Sequence, residues 1–213
     1  MHIYAFGSIC RGEVDSFSDI YMLAIVNGRD DRFNPKDYSI YSYTRIGELW
    51  EQGNPFAWHL FLESKLIYSS DNSDYLRSIG APSAYKSGLA DCNKFREIFL
   101  FAKKSIEGSN LTEVFDLSSV FLAIRNFATC YSLHTDVKPD FSRNSARNLG
   151  AHSIPIDNST YELLERARVL SIRGVGELLG TYDVGKAKQS LNEIESWMNE
   201  KISTITSDGY ERI

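Results

Sequence analysis

The hydrophobic period of this chain changes once, close to residue 80, and that change limits the folds open to it. Before it, apolar residues fall in short runs cut by turn residues. Residues 2–6 form one run that ends at Gly7, and residues 20–26 a second, stopped by Asn27-Gly28. Residues 38–43 alternate Tyr, Ser and Ile after the turn at Asn34-Pro35, and residues 66–68 form a last run. Short apolar or alternating runs bounded by Gly, Asn and Pro read as strands. A short helix is expected over residues 46–52, ended by Gly53, and a compact aromatic stretch fills residues 55–61.

From Gly80-Ala81-Pro82 onward apolar residues recur at three or four positions, the spacing of one helix face. Leu89, Cys92, Phe95, Phe99, Ala102 and Ile106 mark a first helix, closed by Gly108-Ser109-Asn110. Leu117, Val120, Phe121, Ile124, Phe127, Ala128 and Tyr131 mark a second. Leu163, Leu164, Ala167 and Leu170 mark a third, begun by Asn158-Ser159-Thr160 and stopped by Gly174. Val184, Ala187, Leu191, Ile194, Met198, Ile202 and Ile205 mark a fourth, with Asp183 as its expected cap. The expected architecture is α+β: a small mixed-sheet unit over residues 1–80, then a four-helix-type bundle over residues 81–213.

Composition narrows the function. With 43% hydrophobic and 24% charged residues, the chain has the apolar mass for a core and is not disordered as a whole. A net charge of -5 argues against tight sequence-independent nucleic-acid binding. Three widely spaced cysteines, Cys10, Cys92 and Cys130, form neither a disulfide framework nor a zinc cluster. No leader or bilayer-length apolar run is evident, so a cytoplasmic protein is expected, its Asn110 and Asn158 sequons unused.

One segment carries chemistry. Residues 4–25 read as a strand, the Gly7-Ser8 turn, Gly12, a polar loop, and Ser18-Asp19 at the entry to a second strand. Gly7 lets backbone approach a phosphate closely, and Ser8 offers both an N–H and a hydroxyl to phosphate oxygens. Gly12 turns the loop without a Cβ penalty. Asp19 stands where a carboxylate can hold Mg²⁺ against the same phosphates.

This constellation resembles the nucleotidyltransferase superfamily that includes DNA polymerase beta, kanamycin nucleotidyltransferase and the minimal bacterial nucleotidyltransferases. Its pattern is a hydrophobic strand, Gly-Ser, three residues, Gly, then a short loop and Ser-Asp-x-Asp, and Gly7-Ser8, Gly12 and Ser18-Asp19 match it without a gap. The strict motif covers about 20 residues. The stretch Trp50 to Leu60, the stretch Glu63 to Tyr68, and Arg125-Asn126, Asp140, Arg143 and Ser145 resemble such proteins more loosely. The resemblance implies an NTP, most simply ATP, held by Gly7, Ser8, Gly12 and Ser18, and Mg²⁺ held by Asp19 as the catalytic residue. It also implies a small-molecule or protein acceptor, and a homodimer or toxin–antitoxin partner.

The departure is at residue 21. The family places a second aspartate there to bridge two Mg²⁺ ions; this chain has Tyr21. A phenol is neutral near pH 7 and a poor ligand for a hard cation. Asp37 precedes the neighbouring strand, whose inward positions are Ser39 and Tyr41 or Ile40 and Ser42, and Glu13 and Asp15 lie in the loop. One metal ligand does not build a two-metal site, so the expectation is a nucleotide-binding or regulatory protein with weak or no catalysis. The alternative is an active Mg²⁺-dependent transferase of NMP onto a hydroxyl. A third reading takes Arg147 and His152, in an Arg-x4-His spacing, as a HEPN-like RNase pair. Arg125-Asn126 is expected to tie the bundle to the α/β unit. Lys94, Lys103 and Lys104 are expected on a solvated face, and Trp50, Phe56, Trp58 and His59 in an aromatic cluster joining the halves.

Overall fold

The computed structural model describes residues 1–13, 20–28, 30–108, 111–135 and 137–211, with side chains as far as residue 207. The chain divides into two compact units, Met1–Lys86 and Ser87–Ile213. The architecture is α+β, a small mixed sheet in the first unit and a helical bundle in the second.

The first unit runs β1 (His2–Phe6), α1 (Ser8–Arg11), β2 (Tyr21–Val26), β3 (Tyr38–Ser42), α2 (Tyr43–Glu51), α3 (Pro55–Glu63), β4 (Ser64–Ser69) and α4 (Tyr75–Ser78). The strands lie in the order β3-β2-β1-β4, with β1 antiparallel to both β2 and β4, and β2 parallel to β3. Alternation along each strand sends residues to two faces. Tyr4, Phe6, Leu23 and Ile25 pack under the helices against Ile46, Leu49, Trp50, Ala57, Leu60 and Leu76. Ala24 and Val26 face the other way, covered by Phe33 with Met1, Ile3, Tyr38 and Ile40 around it. The register of β1 with β4 slips between Ile3 and Tyr4, so that Tyr4 stands opposite Leu66 and Ile3 opposite Tyr68. That slip is a β-bulge, one extra residue in β4.

The aromatic stretch expected over residues 55–61 is a full helix, α3. Asn54 caps it, its side chain accepting from the Phe56 N–H at 2.9 Å, and Pro55 fills the first turn, where no donor is lost. The last strand is longer than residues 66–68, because β1 pairs with it from Ser64 to Ser69.

The second unit holds α5 (Gly88–Gly108), α6 (Glu113–His134), a 3₁₀ turn at Gly150–His152, α7 (Asn158–Arg173) and α8 (Thr181–Glu211). Helix α6 is buried on more than one side, from Leu117 and Val120 to Ala128 and Tyr131, and is the axis of the bundle. The connection between α6 and α7 is folded onto it. Arg125 donates to the carbonyls of Phe141 and Ser142 at 2.9 and 3.2 Å, and Thr129 to that of Asp140 at 2.9 Å. Phe141, Ala146, Leu149 and Ile154 of the connection are buried. Arg125, expected to reach toward the α/β unit, is thus engaged inside the bundle.

Two caps differ from expectation. Helix α7 is capped by Asp157, which accepts from the Thr160 N–H at 3.0 Å, and it ends at Gly174 in the left-handed conformation. At α8 the Gly180 carbonyl takes the first helical hydrogen bond, from Val184 at 3.1 Å. Asp183 therefore sits inside the first turn and reaches back to the Gly180 N–H at 3.2 Å, the carboxylate half of a capping box. No helix among the described residues is long and apolar enough to cross a membrane.

Candidate functional site

Strand β1 ends at Gly7, whose φ of 81° and ψ of -145° lie in a region that side chains other than glycine's scarcely enter. A Cβ there would sit 3.4 Å from the Tyr21 ring. The chain then closes on itself: the Cys10 N–H donates to the Gly7 carbonyl at 3.0 Å and the Glu13 N–H to the Ser8 carbonyl at 3.0 Å. Gly12 completes the turn at a φ of 77°, with open space around its Cα. Gly7, Ser8 and Gly12 are thus brought into one turn at the end of the central strand β1. Ser18 and Asp19 lie outside the described residues, as does Asp15.

Tyr21 opens β2 directly opposite Phe6, their ring centroids 5.6 Å apart. It shares the face of Leu23 and Ile25, the helix-covered one, yet is half exposed because it stands at the strand end. On β3 that face carries Ser39 and Tyr41: Ser39 pairs with Leu23, Tyr41 with Ile25, and the Tyr41 ring meets Phe56 at 5.5 Å. The inward pair is therefore Ser39 and Tyr41, while Ile40 belongs to the opposite face. Asp37 lies in the turn before β3, its N–H donating to the Asn34 carbonyl. Beside Gly7 the described strand positions of this face on β2 and β3 hold phenols, a hydroxyl and hydrocarbon; His2, at the far end of β1, is engaged with Tyr43 and Ser73 at 2.6 and 3.0 Å. Among the described residues no three His, Cys, Asp or Glu side chains are grouped as metal ligands. The described donor set does not fit a two-metal centre.

Two described carboxylates near the turn, Glu13 and Glu63, are engaged with a cation. Arg11 Nε donates to Glu13 at 2.8 Å, and its Nη1 donates to Glu63 at the end of α3. His59 Nε2 also lies 3.0 Å from Glu63, one helical turn earlier, and its ring stands edge-on to Phe6 at 5.6 Å. Burial works against the Arg11 charge, but the two glutamates outweigh it and its pKa is raised. Cys10 donates its thiol to the Ala5 carbonyl at 3.3 Å. Burial pushes its pKa up against the opposing pull of Lys65, so it is held as a thiol. Sequence reasoning did not find this Arg11–Glu63–His59 group. The four-residue spacing of His59 and Glu63 was visible, but only the fold brings them to Arg11.

The remaining candidates are engaged elsewhere. Arg147 donates to Asn158 and lies over the Tyr161 ring at 5.0 Å. His152 has Lys201 Nζ 3.4 Å from its Nδ1 and the Tyr131 ring at 5.6 Å. Lys103 binds Asn192 and Glu195 of α8 at 2.6 and 2.7 Å. Phe56 and His59 pack on Phe6, while Trp50 and Trp58 donate to the carbonyls of Gly80 and Ser83, all within the first unit. No protein-family model matches the chain, and no curated protein matches it either.

Proposed function

We propose that this chain is a nucleotidyltransferase-like protein that binds an NTP, most simply ATP, at the Gly7-Ser8 turn and acts as a binding or regulatory protein with weak or no nucleotidyl transfer. The observation that carries this reading is the sheet face beside Gly7, where Tyr21, Ser39 and Tyr41 occupy the strand positions at which carboxylates would gather metal ions. Removing charge stabilisation from phosphoryl chemistry raises its barrier by several kcal/mol, whereas holding a triphosphate asks only for close backbone approach and donors. The glycine-only conformation at Gly7 and the closed turn through Gly12 supply that approach.

The test has two arms. Binding of ATP is measured by titration for the wild type and for Gly7→Val, whose branched side chain is strained at a φ of 81°. Affinity is expected to fall at least about tenfold in the variant. The wild type is then incubated with labelled ATP, Mg²⁺ and cell extract, and no incorporation above that of Asp19→Ala is expected. Incorporation lost in Asp19→Ala would establish the active-transferase reading in its place. Equal ATP affinity in wild type and Gly7→Val would remove the turn as the nucleotide site.

A further inference from the structure

Strand β4 is an edge of the sheet, paired with β1 on one side. Its side chains are open to solvent: Ile67 is 59% exposed and Tyr68 47%, with Leu66 beside them and Phe61 and Leu62 of α3 adjoining. A pocket of about 300 Å³ lined by Phe61, Lys65, Leu66, Asp74 and Arg77, among others, opens along the same edge. An apolar strand edge is a template for another strand, and proteins blunt it with charge or cover it. Here the strand carries a single charge, Lys65.

The bulge decides which strand fits. When two copies of one edge strand pair antiparallel about a two-fold axis, residues that face each other must lie on the same side of the sheet. In an unbroken strand this joins residues of equal parity. In β4 the bulge changes the rule. Ser64, Leu66 and Ser69 stand opposite Phe6, Tyr4 and His2, on the helix-covered face, whereas Lys65 and Tyr68 stand opposite Ala5 and Ile3, on the other. One register then pairs the whole strand with faces matched: Ser64 with Ser69 and Lys65 with Tyr68, on either side of the bulge where Leu66 meets Ile67; registers centred on Lys65 or on Tyr68 join only three residues of each copy. In that register apolar meets apolar, the cation meets an aromatic ring, and no like charges face.

We propose that β4 pairs antiparallel with β4 of a second copy in this register, so that two four-stranded sheets join as one sheet of eight. The occupant is the same chain because the bulge lets the edge match its own faces along its full length, with Lys65 set against the Tyr68 ring and away from the other Lys65. Leu66, Ile67 and Tyr68 leave solvent together, and the pocket beside Phe61 is closed at its open side.

Sedimentation velocity tests the pairing. The wild type is expected to be a dimer at micromolar concentrations. Tyr68→Lys sets the introduced ammonium against Lys65 of the other copy, twice per dimer, and is expected to raise the dissociation constant about tenfold or more. Adding Lys65→Glu to Tyr68→Lys replaces each repulsion with an attraction and is expected to restore the dimer. That rescue shows that the fold tolerates the Tyr68→Lys substitution. Leu178→Glu, at an 85% exposed site in the second unit, is expected to leave the dimer intact. A monomeric wild type, with the edge free or covered by another partner, overturns the proposal. So does a dimer insensitive to Tyr68→Lys, or a double variant that stays monomeric.

Discussion

Gly53 is enclosed by backbone. A Cβ at this position would stand 2.4 Å from the Ser83 carbonyl oxygen and 2.5 Å from that of Ala84, and its φ is 60°. The neighbouring segment has little room to give way, because Ser83 donates its N–H to the Trp50 carbonyl at 2.9 Å and accepts from Trp58 Nε1 at 3.1 Å. Gly53→Ala is expected to destabilise the protein by about 2–4 kcal/mol, read as a lower urea midpoint. Gly174 has a similar φ of 64° with nothing within 4 Å of its would-be Cβ. Gly174→Ala isolates the backbone cost and is expected to lose only about 1 kcal/mol. At this scale the sequence marked both glycines as helix ends. The difference between them was hidden, because the atoms that crowd Gly53 lie thirty residues on. A still longer separation, 52 residues, concealed the Arg11–Glu63 pair, while Gly7-Ser8, a local pattern, stood in plain view.

At the scale of elements, capping sets a pH response. Asp157 accepts hydrogen bonds from Ser159, from both the N–H and the hydroxyl of Thr160, and from Lys186, which together lower its pKa below the ordinary carboxylate range. A carboxyl whose folded pKa is depressed stabilises the fold fully above its unfolded value, about 3.9, and loses that contribution as pH falls below it. Asp157→Ala is therefore expected to melt below the wild type at pH 7, with the gap closing as the pH is lowered through the acid range, followed by circular dichroism at 222 nm. The bundle helices were legible because their apolar residues recur at three or four positions; Phe99, Ala102 and Ile106 of α5 are buried at that spacing, and α6, buried on more than one side, still carries Leu117, Val120, Phe121, Ile124, Phe127 and Ala128 at it. Helix α3 was not, since Phe56, Ala57, Trp58, Leu60, Phe61 and Leu62 are apolar nearly all round and leave no stripe to detect. The Asn54-Pro55 pair was the available signal of its start. Asp183 was misplaced by three positions because a carboxylate in the first turn and one at the cap serve the same N–H groups.

For the molecule as a whole, each unit has its own core. Tyr4, Leu23, Ile25 and Trp50 centre the first, and Leu117, Ile124, Leu164, Leu191 and Met198 belong to the second. A fragment of residues 87–213 is accordingly expected to be helical and to unfold cooperatively in urea. Residues 1–86 alone should be the more marginal piece, since a shorter chain buries a smaller fraction of its surface. A fragment 87–213 without a cooperative transition would mean that the bundle depends on the first unit to fold. The change of hydrophobic period announced sheet before bundle, but strand order and the slip in β4 depend on pairings that no single run of residues encodes.

Phe33 illustrates how unevenly the sheet is sheltered. One side of it rests under several helices, the other under a ring carried by the stretch between β2 and β3, with Arg32 lying over that ring at 5.9 Å. The stretch is thus a wall as well as a passage. Its freedom to drift over evolution is set by the hydrocarbon it keeps dry, and a shorter version would have to bring an aromatic roof of its own.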